Sequence, residues 1–133
     1  MLGDVLASAL PGLRAQAESM MRDQCTIGVL GEPQTDPDTG DVTTPMDVLY
    51  TGPCRVQTYE AQESNPEAGA SVRTVQRYQV HIPVGSYAPE VGHVVEITTA
   101  ALDPYLSGRR YRVEALLHKT LATAYRLSVH EEV

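Results

Sequence analysis

Apolar residues along this chain repeat with two different periods. Over residues 4–22 they fall at helical spacing: Val5, Leu6, Ala9 and Leu10 make one cluster, and Leu13, Ala17, Met20 and Met21 continue it. Pro11-Gly12 interrupts that run. A residue that precedes proline is pushed away from helical geometry. The pattern therefore predicts a short frayed turn as far as Leu10 and a firmer helix from Pro11 to Arg22, with Pro11 in its first turn. A terminal helix of this kind usually packs on the sheet that follows, and its two-part apolar stripe suits a neighbouring subunit as well.

From Gln24 the period changes to two. Cys25, Ile27 and Val29 alternate with Thr26, Gly28 and Leu30 in a first strand, and a second runs from about Val42 to Tyr50. After a turn at Thr51-Gly52-Pro53, Cys54, Val56 and Thr58 alternate with Arg55, Gln57 and Tyr59 in a third. The longest strand sets Val72, Thr74, Gln76, Tyr78, Val80 and Ile82 against Arg73, Val75, Arg77, Gln79 and His81, and Pro83 ends it. Further strands are predicted over residues 94–99 and 109–116, and Thr123, Tyr125, Leu127 and Val129 mark a last one. Asp36-Pro37-Asp38-Thr39-Gly40 reads as a turn: proline fixes φ, aspartate caps the local backbone and glycine accepts positive φ. Residues 60–71 have no period and carry Pro66 and Gly69, which predicts a mobile surface loop. That loop is either a tolerated insertion or a segment that orders on meeting a partner. Short strands with turn signals every ~8–12 residues indicate a mainly β fold. The expectation is one domain over residues 1–133: an N-terminal α-helical segment to residue 22, then a small antiparallel β-barrel of about six or seven strands.

Composition narrows the function. At 133 residues the chain suits one domain with a real core. Seven Tyr with no Phe and no Trp predict a Val, Leu and Ile core with tyrosines at its rim. A net charge of −7 is the reverse of a phosphate-gripping footprint, although like charge does not stop DNA from passing close by. Cys25 and Cys54 are too few for a disulfide framework and lack metal-ligand spacing, so both read as free core thiols in a reducing compartment. The first residues lack a basic start and a long apolar run, so neither a signal peptide nor a membrane span is expected.

Site chemistry is sparse. His81, His93, His118 and His130 are scattered, with His81 and His130 placed on polar strand faces, and no cofactor or metal is expected. The glycines are isolated turn residues, no Ser sits in a G-x-S-x-G elbow, and the carboxylates cluster in loops where water surrounds them. No catalytic residue is therefore assigned and an enzyme is not expected. Arg73, Arg77, Arg109, Arg110, Arg112 and Arg126 form either a basic stripe or, as the commoner arrangement, cross-strand pairs with Glu60, Glu96 and Glu114.

The C-terminal order Leu102-Asp103-Pro104-Tyr105-Leu106-Ser107-Gly108-Arg109-Arg110-Tyr111-Arg112-Val113, then Thr120, then Thr123-Ala124-Tyr125-Arg126-Leu127 and Glu131-Glu132-Val133, is the most specific pattern in the chain. Together with Asp23-Gln24-Cys25-Thr26-Ile27, the 36–40 turn and Tyr50-Thr51-Gly52-Pro53-Cys54-Arg55-Val56-Gln57, it resembles the small neck proteins of actinobacteriophages, the head-to-tail stoppers of long-tailed phages. The resemblance implies a virion protein at the head–tail junction, folded in the host cytoplasm. It would form a hexameric or dodecameric ring with portal and adaptor proteins above, tail-terminator and tail-tube proteins below, and genomic DNA passing through. The alternatives are a tail-terminator or minor tail protein and, from another class, a small-ligand-binding barrel or hydrolase. Docking or gating is expected of Gln62, Glu63, Ser64, Asn65, Pro66, Glu67, Ala68, Gly69 and Ala70. Subunit contacts are expected of Leu6, Leu10, Leu13, Met20, Met21, Tyr78 and Tyr105.

Overall fold

A computed structural model describes residues 2–64 and 72–131, with side chains described outside 59–64 and 72–76. One helix, α1 (Leu2–Ser19), precedes eight strands: β1 (Asp23–Leu30), β2 (Gln34–Thr35), β3 (Val42–Thr43), β4 (Met46–Ser64), β5 (Val72–Ile82), β6 (Val94–Thr99), β7 (Arg110–Leu116) and β8 (Tyr125–Glu131). Six of them close a barrel in the order β1-β4-β5-β8-β7-β6, and β2-β3 form a separate small hairpin. Every pairing is antiparallel. The predicted fold class holds.

The core is the barrel interior. Ile27, Ile82, Ile97, Val80, Val95, Val113, Leu127 and Val129 fill it with Cys25, Cys54 and Tyr111, and Tyr50, Tyr78, Tyr87 and Tyr125 pack around that cluster. These residues occupy alternate strand positions, as period two requires. Cys25 and Cys54 are free and fully buried. A thiol–thiol hydrogen bond, and then burial, push the Cys54 thiol far above its ordinary range, so it is a core group and not a nucleophile.

The predicted second and third strands, split at Thr51-Gly52-Pro53, are one strand. β4 pairs with β1 from Met46 to Cys54 and with β5 from Arg55 to Ser64. Pro53, which has no N–H to give, falls where one partner hands over to the other. The register shifts near Gly28, where an added Cβ would meet the Asp47 carbonyl oxygen, so only glycine allows β4 this close. The expected break at Pro11 is also absent. α1 runs unbroken through Pro11, and since neither Pro11 nor its neighbour Gly12 is buried, water can reach the carbonyl that loses its donor. Finally, residues 60–64, predicted as loop, belong to β4: their backbone pairs with β5 down to Ser64↔Val72. Ladder pairing needs no apolar alternation, so the side-chain pattern could not show it.

Candidate functional site

α1 is the part of the molecule that its own fold leaves unfinished. No residue of the helix is buried. Leu6 is 42% exposed and Leu13 41%, both on the apolar stripe that predicted the helix, and Leu2 ahead of it is 75% exposed. The next residues hold it to the barrel: Met21 is 5% exposed and seals into the body, and the Met20 sulfur takes a contact from the Arg55 guanidinium at 3.8 Å. Nearer the middle, Arg14 Nε donates to the Ala122 carbonyl at 3.0 Å. Leu121, just before that acceptor, sits at φ 59, a left-handed backbone that costs roughly 1 kcal/mol or more in a residue with a side chain. An 18-residue helix is about 27 Å long, so these tethers leave most of its first half free.

A second projection is the end of the β4–β5 ribbon. β5 pairs with β8 only from Tyr78 to Ile82, whereas its pairing with β4 continues for six further residue pairs, from Tyr59↔Arg77 to Ser64↔Val72. This two-stranded arm reaches about 20 Å past the barrel wall. Of the residues expected to dock or gate, Gln62, Glu63 and Ser64 lie on it, and Asn65 to Ala70 lie outside the described residues.

The third feature is an apolar depression of about 390 Å³ where β1 and β4 meet the β2–β3 hairpin, lined by Val29, Leu30, Gly31, Pro45, Met46 and Asp47. Val48 and Leu49 nearby are also exposed. The sequence pattern missed this patch because a regular alternation would have turned part of it inward; the register shift opposite Gly28 turns it out.

The expected subunit contacts divide. Leu6, Leu13 and Met20 are exposed on α1, and Leu10 is half-buried. Tyr105 is exposed too, with the Arg109 guanidinium 3.9 Å above its ring, a cation–π contact. Met21 is buried against the chain's own barrel, and Tyr78 is half-buried. Tyr78 packs on the core with its ring centroid 5.4 Å from that of Tyr111, which is fully buried and whose hydroxyl burial pushes up to about 12.

The arginines resolve mainly into cross-strand pairs. Arg110 meets Glu96 at 3.3 Å, Arg77 meets Glu114 at 3.7 Å, and Arg109 meets Glu131 at 2.7 Å. The register shift in β7 around Glu114 turns that carboxylate toward both Arg77 and His130, the latter at 2.8 Å. His81 departs from expectation. It is 8% exposed and flanked by Arg55 and Arg126, and burial followed by those two cations lowers it to about 4, so its ring is neutral. Alternation placed it on the outer face but could not show that the face is covered. His93 is buried as well and stacks on Tyr87, which stacks on Tyr50, with ring centroids 5.9 and 5.7 Å apart. This ladder has its own partners: Tyr50 Oη donates to the Pro53 carbonyl at 2.7 Å and the Glu90 N–H donates to His93 Nδ1 at 3.3 Å. Among the described residues no group of three His, Cys, Asp or Glu is placed to hold a metal, and no helix is long and apolar enough to cross a membrane.

The sequence profile of DUF6093, described as a family of unknown function, matches residues 13–130. No curated protein is significantly similar to the chain. Among solved structures, the fold is similar to the solution structure of protein SF1141 from Shigella flexneri 2a, a structural genomics target. The TM-score is 0.52 at 20% identity over 84% of this chain and 93% of that one. At that identity the likeness speaks for the fold alone.

Proposed function

The chain belongs to the DUF6093 family, and we propose that it is a structural ring subunit of a phage neck, a head-to-tail stopper that joins portal and adaptor to the tail. The observation that carries this reading is α1, whose apolar residues Val5, Leu6 and Leu13 stay exposed beside its own barrel. Exposed apolar stripes of this kind mark contacts with another protein, and a helix projecting from a closed barrel gives the subunit a surface for its neighbour. The closed barrel supports the reading in a second way: its six strands leave no free edge in the wall, so copies can crowd together without fusing their sheets. The β4–β5 arm then supplies a separate reach toward the channel or toward the next ring. The ordered sequence resemblance from Asp23 to Val133 supplies the setting, and the acidic balance suits a channel that DNA traverses without sticking.

Cryo-electron microscopy of the neck of a virion carrying this protein tests the reading. A ring of six or twelve copies between adaptor and tail is expected, with α1 against a neighbouring chain. Density accounted for without this chain, together with a purified chain that binds neither adaptor nor tail-terminator protein, would overturn it.

A further inference from the structure

Two arginines and a histidine of the outer wall meet at one place. Arg55 of β4, His81 of β5 and Arg126 of β8 are direct cross-strand neighbours, so two guanidiniums flank one buried imidazole. Adjacent cations on a sheet repel and ordinarily draw a carboxylate between them. Here none comes. Among the described residues Arg55 reaches only the Met20 sulfur, His81 only the Gln79 side-chain oxygen at 3.2 Å, and Arg126 Nε is buried with no hydrogen-bond partner. A buried N–H of a cation without an acceptor is costly, and two guanidiniums with no carboxylate beside them leave this stretch of wall with unbalanced positive charge.

The same chain carries the complementary surface far from the row. Between Arg22 and Arg55 there is no Lys or Arg, and Glu32, Asp36, Asp38, Asp41 and Asp47 follow one another. Asp36, Asp38 and Asp41 are exposed at the tip of the β2–β3 hairpin, and no ion pair among the described residues holds them. The tip is preorganised. Asp36 N–H donates to the Asp41 carbonyl at 2.7 Å, Gly40 N–H to the Asp36 carbonyl at 2.8 Å, and Asp38 N–H to Asp36 Oδ1 at 2.8 Å, while Gly40 holds φ 75. One subunit cannot bring the two surfaces together. The hairpin leaves the barrel at Leu30↔Met46, and Arg55 lies nine residues farther along β4, about 30 Å away at ~3.3 Å per residue.

We propose that the Arg55–His81–Arg126 row of one copy receives the Asp36–Asp41 hairpin tip of a second copy. The contact joins two different patches, so it is head-to-tail, the kind that closes into a ring when the rotation allows. The outer guanidinium N–H groups of Arg55 and Arg126 donate to the aspartate oxygens. The neutral imidazole between the guanidiniums adds no third charge. This deepens the ring reading by naming one of its contacts, and it rests on that reading.

The test uses the full chain, with sedimentation equilibrium in low salt and the Arg side-chain N–H signals followed by NMR as concentration rises. Asp38→Lys/Asp41→Lys alters only exposed side chains, leaves the Asp36 carboxylate to cap the turn, and is expected to weaken self-association roughly tenfold or more, the scale of losing close interfacial charge pairs. Arg55→Glu is expected to do the same, and a mixture of the two variants to associate again, because each restores opposite charge to the other. Unchanged thermal melting of each variant separates a lost contact from a lost fold. A tip variant that associates like the wild type overturns this contact and leaves the ring reading standing. A wild-type chain that remains monomeric at millimolar concentration, with unmoved arginine signals, overturns this contact, and the ring reading falls with it only if adaptor and tail-terminator proteins also leave the chain monomeric. If a short DNA duplex shifts those signals and reversal of the tip changes nothing, the row serves phosphate and the proposal is wrong.

Discussion

The barrel interior and the N-terminal helix were built from the same kinds of side chain and ended in opposite places. Ile27, Val80, Ile97, Leu127 and their neighbours are completely buried, whereas Leu2, Val5, Leu6 and Leu13 stand in solvent. Burying a side chain of this size contributes about 1.5–3 kcal/mol. The barrel gains that within one chain; the helix gains it only against another surface. An apolar stripe shows that a face wants cover and says nothing about which chain supplies it.

The contrast can be broken first from the barrel side. Leu127→Asp places a charge with no partner in the core, where the cost of several kcal/mol rivals the net stability of a small domain. Loss of the cooperative melting transition is expected, and a soluble variant that melts cooperatively near the wild type would mean that Leu127 faces outward. Ile97→Ala, fully buried in the same cluster, is expected to cost about 2–5 kcal/mol in denaturant unfolding while leaving the fold intact.

The pH dependence of stability probes the covered outer wall. His81 titrates at about 4 in the folded protein against an ordinary value of 6.5, so the unfolded chain takes the proton first. Stability from this group is therefore complete above pH 6.5 and falls as pH drops from 6.5 toward 4, by roughly 3 kcal/mol at most. Urea midpoints measured across that range should decline less in His81→Gln, and equal slopes for both proteins would remove His81 from the account. From the helix side the effect on monomer stability is smallest. Leu6→Glu/Leu13→Glu changes exposed positions and is expected to move unfolding by no more than about 0.5 kcal/mol per site, while assembly is lost. A large loss of stability would mean that α1 packs on its own barrel.

Most of the fold was legible because burial on one face of a strand prints a period of two. The strands at 23–30, 72–82, 94–99, 110–116 and 125–131 all lie within a few residues of where alternation put them. What stayed hidden was whatever depends on partners across the sheet. Pro53 looked like a turn because its missing N–H matters only once the hand-over from β1 to β5 is known. Residues 60–64 looked irregular because their order comes from backbone pairing with β5. Pro11 looked like a break because sequence cannot say that the helix is exposed at that position. At the candidate interface the helical stripe of Leu6, Leu13 and Met20 was visible from spacing alone. The Arg55–His81–Arg126 row was not, since its members are far apart in sequence and meet only through the register of three strands.

If another chain covers α1, native mass spectrometry of the intact protein should reveal it. Multiples of six are expected, from the wild-type chain alone or with adaptor protein present, and monomers from Leu6→Glu/Leu13→Glu under the same conditions. A wild-type chain that stays monomeric with adaptor and tail-terminator proteins present would contradict it, and so would a helix variant that still assembles into the same ring.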